Sequence, residues 1–170
     1  MYEEALKNCD RLLAESGVQD KRVRALQITI RFNMACCHEK ACRIGEASEM
    51  LKSIIKDEPS YTDAYMRIAY LAKRRGDMKR ALEYIEQGKQ NHSRSDNRAL
   101  PIKLYCMKGR LLTDLGRFQE AFKEFHKALE MSGKRDAYAR MGLANIHYET
   151  STVHRSNIEI QEGELRKAMQ

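Results

Sequence analysis

The stretch RRGDMKRALEYI, Arg74 to Ile85, is echoed later in the chain by DLGRFQEAFKEF, Asp114 to Phe125. Each sets a Gly five residues before an Ala, Gly76 before Ala81 and Gly116 before Ala121, and each runs on into apolar residues at helical spacing. Gly116 follows Gly76 by 40 residues and Ala121 follows Ala81 by the same 40, while Ala47 in IGEASEML precedes Ala81 by 34. The period is 34, lengthened once by six residues.

A period of 34 with a small residue, a Gly turn, an Ala and then a large apolar residue resembles the tetratricopeptide repeat. With Thr62 as a repeat start, Tyr65, Ile68, Ala69 and Ala72 share one face of a first helix. Gly76 turns the chain, and Ala81, Ile85 and Gly88 face inward from a second helix. A start at Ile102 supplies Tyr105, Gly109, Leu112, Gly116, Ala121, Phe125 and Ala128 at the same offsets. One near Ile28 supplies Met34, Ala35, His38, Ala47, Leu51 and Ile54, with Pro59 opening the following helix. The residue types follow from close packing: small side chains let helices approach, and aromatic ones fill the space beside them.

This spacing predicts an all-α TPR solenoid, a right-handed superhelix of antiparallel helix pairs, cut from a longer array. Residues 1–170 read as a single array. Within it, 1–16 is the second helix of a truncated repeat, 28–61, 62–95 and 102–134 are nearly complete repeats, and 135–170 is an irregular partial repeat with an insertion. In that last segment either Gly142 or Ala144 fits the small signature position, and the polar run TSTVHRSN reads as a connection between two helical segments. The polar stretches SGVQDKRVRA and NHSRSDNRALP read as long loops between repeats.

Composition agrees with a helical protein: 42% of residues are apolar and 32% charged, with only two Pro. No apolar run approaches the roughly 18 residues of a membrane span, and MYEEALKNCD lacks the start of a signal peptide. The five Cys show no framework spacing, which predicts free thiols in a reducing, intracellular compartment. In ACCHEKAC, Cys37 and His38 are neighbours that diverge by about 100° on a helix. No paired metal-ligand spacing appears there, and no metal or other cofactor is expected. Phosphate loops, nucleophile elbows and zinc-protease pairs are also missing, so no catalytic residue is expected and the protein reads as a non-enzyme. The net charge of +7 favours acidic partners. Without an aromatic nucleic-acid motif or a zinc finger, direct nucleic-acid binding is not the favoured reading, and no small molecule or membrane is implied.

The run from Arg31 to Ile85 resembles, in order and without gaps, a central stretch of the large tetratricopeptide scaffold subunit of the Paf complex, the RNA polymerase II elongation assembly. The Tyr-Asn-Leu-Ala run of that family is matched here by Phe32, Asn33, Met34 and Ala35. Its His-Pro-x-Tyr-x-Asp-x-Tyr-x-Arg run is matched by Glu58, Pro59, Tyr61, Asp63, Tyr65 and Arg67. The resemblance implies a non-enzymatic scaffold in transcription elongation and linked histone modification, a nuclear location, and partners among Paf complex members and the polymerase machinery.

In a solenoid of helix pairs the first helices line a concave groove. Helical offsets place Asp63, Met66, Arg67, Tyr70 and Arg74 in that groove, with Lys103, Met107 and Arg110 from the next repeat: a basic, protein-binding groove with an apolar floor. The alternative is a generic, cytoplasmic TPR adaptor or co-chaperone that holds a peptide there. A carboxylate clamp of the chaperone-binding kind requires Lys, Asn and Arg at positions that here read Phe32, Cys36, Arg67, Lys103 and Met107, and only Lys103 fits.

Overall fold

The structure, a computed structural model, describes residues 2–15, 21–93 and 102–168, without the side chains of 13, 15, 92–93 and 153–168. Most of these residues lie in eight helices: α1 Tyr2–Glu15, α2 Lys21–Lys40, α3 Ile44–Asp57, α4 Thr62–Arg74, α5 Met78–Ser93, α6 Ile102–Asp114, α7 Phe118–Met131 and α8 Ala137–Ala168. No strand occurs among the described residues. None of the described helices is long and apolar enough to cross a membrane.

The sequence reading treats the chain as one array, whereas its contacts divide it into two compact units, Met1–Arg98 and Ala99–Gln170. The division falls where the period gains its six residues, and most of the NHSRSDNRALP run lies outside the described residues. In the first unit α1 packs on α2, α2 on α3, α3 on α4 and α4 on α5. In the second, α6 packs on α7, and α8 packs on both.

The turn that repeats in the sequence repeats in the backbone. At Gly76, φ is +80°; the amide of Gly76 bonds the Lys73 carbonyl at 2.9 Å and that of Asp77 reaches the Ala72 carbonyl at 3.0 Å. This pair of bonds ties off a helix end with one left-handed residue. Gly116 repeats it at φ +71°, with bonds from Gly116 to Thr113 and from Arg117 to Leu112, each 2.9 Å. Cys42 stands 34 residues before Gly76 and makes the same turn at φ +60°. Its amide bonds Glu39 at 3.0 Å, and the next amide, of Arg43, bonds His38 at 2.9 Å. A cysteine thus fills the left-handed position that glycine holds in the later repeats, where a Cβ is disfavoured.

Five residues after each such turn, Ala47, Ala81 and Ala121 are fully buried, as the spacing predicts. Around them Leu51, Ile54, Tyr65, Ile68 and Ile85 make the first unit's core, and Leu104, Leu111, Leu112 and Phe125 the second's. Asp77 and Asp136 cap α5 and α8, their carboxylates accepting from the amides of Arg80 at 3.0 Å and Ala139 at 2.7 Å.

Three expectations change. Pro59 does not open the following helix, because it lies in a turn and α4 begins only at Thr62. Lys21–Ala25, read as part of a loop, belongs to α2, which starts well before the repeat register; Ser16–Asp20 lies outside the described residues. The TSTVHRSN run is not a break either, because α8 passes through it as one helix. Its hydroxyls turn back onto their own helix: Thr150 donates to the Ile146 carbonyl at 2.8 Å, Ser151 to that of His147 at 2.7 Å and Thr152 to that of Glu149 at 2.8 Å. Polar side chains that back-bond in this way, with no Gly or Pro among them, do not stop a helix.

Candidate functional site

In the first unit the predicted groove residues come from α4. Tyr70 is 41% exposed, Asp63 and Met66 are half-buried, and Arg74 is exposed. Arg67 crosses to α2, where its Nε lies 3.0 Å from the Glu39 carboxylate and its Nη2 donates to the Cys36 Sγ at 3.2 Å. Arg74 approaches the other Glu39 oxygen at 3.6 Å. Although Arg67 Nε and Glu39 Oε2 are close, they are not aligned for a hydrogen bond, and both atoms are buried without one. The pair is an electrostatic contact. Burial works against the Arg67 charge, but the Cys36 hydrogen bond and the nearby Cys36, Glu39 and Tyr70 outweigh it and raise its pKa above the usual arginine value.

Glu39, only 11% exposed in its side chain, is the residue that sequence reasoning missed. Its signal is the i, i+3 spacing from Cys36 on α2, which puts thiol and carboxylate on one side of the helix. Cys36 therefore serves as an acceptor for Arg67. Cys37 and Cys42 are exposed, and no group of three His, Cys, Asp or Glu among the described residues is placed to hold a metal ion.

The second unit brings Lys103, Met107 and Arg110 from α6. Lys103 and Arg110 are exposed and Met107 is half-buried. The Arg110 Nη1 donates to the Tyr138 hydroxyl of α8 at 3.0 Å. Beside this bond a cleft of about 460 Å³ opens between α6 and α8, lined by Arg110, Thr113, Tyr138, Met141 and Asn145 over the Phe125 ring. That ring lies between two glycines: a Cβ on Gly109 would meet it at 2.8 Å, and one on Gly142 at 2.3 Å. Gly142 is thus the small residue of α8, while Ala144 is exposed. Elsewhere on α6, burial and the Asp136 carboxylate push the Cys106 thiol up to about 12, so it stays protonated.

The model of the tetratricopeptide repeat matches residues 62–90 and 102–135. Solved structures agree: the Sgt2 TPR domain from Aspergillus fumigatus aligns with a TM-score of 0.61 at 13% identity, covering 76% of this chain and 82% of that one. The chain carries tetratricopeptide repeats. The first TPR of Spaghetti (RPAP3), solved with an HSP90 peptide, aligns at 0.59 and 17% identity, over 74% of this chain and 94% of that one. At such identities these likenesses concern the fold alone.

In sequence, this tetratricopeptide chain is similar to the RNA polymerase-associated protein CTR9 of Caenorhabditis elegans, 30% identical over 125 residues and 72% of the chain. It is also similar to the CTR9 homolog of Arabidopsis thaliana, 26% identical over 143 residues and 84% of the chain. The chain spans 10% of the length of the first and 13% of that of the second.

Proposed function

We propose that this tetratricopeptide chain is a segment of a non-enzymatic scaffold of the CTR9 kind, which holds subunits of the Paf complex together on elongating RNA polymerase II in the nucleus. The observation that carries this reading is the extent of the CTR9 similarity. It runs over 125 residues, about twice the length that the repeat model accounts for, and so extends beyond the two repeats that the model matches.

Each unit offers first-helix side chains to partner proteins. In the first these are Asp63, Met66, Tyr70 and Arg74 around the Glu39–Arg67 contact, and in the second Lys103, Met107 and Arg110. Arg and Tyr are favoured anchors at interfaces, and cations beside apolar side chains fit acidic, partly apolar segments. The co-chaperone reading draws on the fold shared with the HSP90-bound TPR. The identities of Phe32, Cys36 and Met107 speak against it, and Arg67 is already engaged by Glu39.

Affinity purification of the full parent protein, followed by mass spectrometry, tests the proposal. Enrichment of polymerase elongation subunits is expected; enrichment of chaperones without them sinks it.

A further inference from the structure

We infer that the α6–α8 cleft of the second unit takes one bulky apolar side chain from an acidic segment of another protein, with a carboxylate of that segment on Arg110. The inference deepens the scaffold reading and rests on it for the partner's being a protein. A cleft of about 460 Å³ falls within the ~300–1,000 Å³ of ordinary binding pockets. Its floor is the Phe125 ring, and its walls are Tyr138, 51% exposed, and Met141, 64% exposed. Walls this open leave a free small molecule largely in water, whereas a chain lying along the cleft covers them as it binds.

The charge of the occupant follows from Arg110. Its partner is a neutral hydroxyl, that of Tyr138, and no described carboxylate pairs with it. The cleft's own acid, Asp114, is already engaged in an interaction. A guanidinium at the rim of an apolar slot gains most from a carboxylate, which it binds with two parallel N–H donors. The exposed Asn145 amide, with a donor and an acceptor, suits the backbone between the two anchors.

The test uses the 170-residue chain with methyl-labelled Met, and three short capped peptides. One carries a Phe flanked by Glu and Asp, a second has Gln and Asn in place of the acids, and a third has Ser in place of the Phe. The first peptide is expected to shift the Met141 methyl signal saturably, and the other two to bind at least about tenfold more weakly. Arg110→Gln is expected to weaken the acidic peptide about tenfold and leave the amide peptide unchanged. Met141→Ser, at an exposed position, weakens both Phe peptides without unfolding the chain, as circular dichroism checks.

Equal binding of the acidic and amide peptides overturns the inference, as does the absence of any saturable Met141 shift. Sedimentation that shows two copies of the chain covering Met141 overturns it too, and so does a longer parent chain whose own residues protect that methyl from the peptide. Failure of the peptides while the parent still enriches elongation subunits removes the cleft and leaves the scaffold. Peptide binding as expected, with no such enrichment, removes the scaffold and leaves the cleft.

Discussion

Arg67 and Arg74 in the first unit face a carboxylate of their own chain, whereas Arg110 in the second faces a neutral phenol. The repeat register explains the difference. Counting from Ile28 and from Ile102, Glu39 and Thr113 hold the same offset, and so do Cys36 and Arg110. With Gly142 in the small position, Arg140 of α8 holds the offset of Arg67 in α4. Having Thr113 where the first unit has Glu39, Arg140 donates to the Lys134 carbonyl instead. One framework therefore yields a side closed by internal charge and another left open over an aromatic ring, and Glu39 against Thr113 is one of the positions that separate them.

The largest effect is expected at the floor of the open cleft. Phe125 is 3% exposed and fills the space between Gly109 and Gly142, so Phe125→Ala should cost about 3–5 kcal/mol in urea unfolding. Gly142→Ala drives a methyl into the same ring and should cost about 1–3 kcal/mol. Because the two changes share one space, the penalty of Gly142→Ala should shrink in the Phe125→Ala background. A fully additive double mutant would show that α7 and α8 do not meet at this ring.

Next comes the closed side. Arg67→Ala leaves the largely buried Glu39 carboxylate with Arg74 at 3.6 Å, and should cost about 1–2 kcal/mol by thermal or urea unfolding. The value lies below that of a fully buried pair because the Arg67 side chain is 35% exposed. The consequence bears on any binding experiment: a loss of partner with Arg67→Glu confounds binding with folding, since it sets two carboxylates together. A melting temperature unchanged by Arg67→Ala would show the contact with Glu39 to be idle.

Much of this was legible in the sequence. The period predicts Ala47, Ala81 and Ala121 at the tightest contacts, and Gly76 and Gly116 in the left-handed turns, because only small or Cβ-free residues fit there. The Glu39 contact was not legible, since it depends on which way two helices 28 residues apart in sequence turn toward each other. Nor was the choice between Gly142 and Ala144, which the Phe125 ring decides. The continuity of α8 was hidden by hydroxyl residues, which look like a loop until their back-bonds are seen. Cys42 lies between: the period of 34 points to it as the counterpart of Gly76, but its identity suggests thiol chemistry first. Cys42→Gly, which relieves a side chain held at φ +60°, should therefore stabilise the first unit by about 1 kcal/mol in urea unfolding. Destabilisation by the glycine would mean that the Cys42 side chain makes a contact worth more than the strain.

The smallest expected effect on stability is the one that tests the comparison most directly. Thr113→Glu transplants the first unit's carboxylate to the matching offset of α6, three residues after Arg110 on the same helix face. The Thr113 hydroxyl is bonded only to the Gly109 carbonyl of its own helix, at 2.9 Å, and α6 keeps its backbone bonds without it. The change in unfolding free energy should therefore stay within about 0.5 kcal/mol. Binding should respond far more: a carboxylate beside Arg110 supplies from within what the cleft otherwise takes from a partner, so the preference for an acidic over an amide peptide should fall to near unity. At low salt the loss should be greatest, because screening otherwise masks part of it. If the glutamate variant folds normally and still prefers the acidic peptide as the parent chain does, Arg110 is not the charge the ligand reads, and the contrast between a closed and an open side does not govern binding.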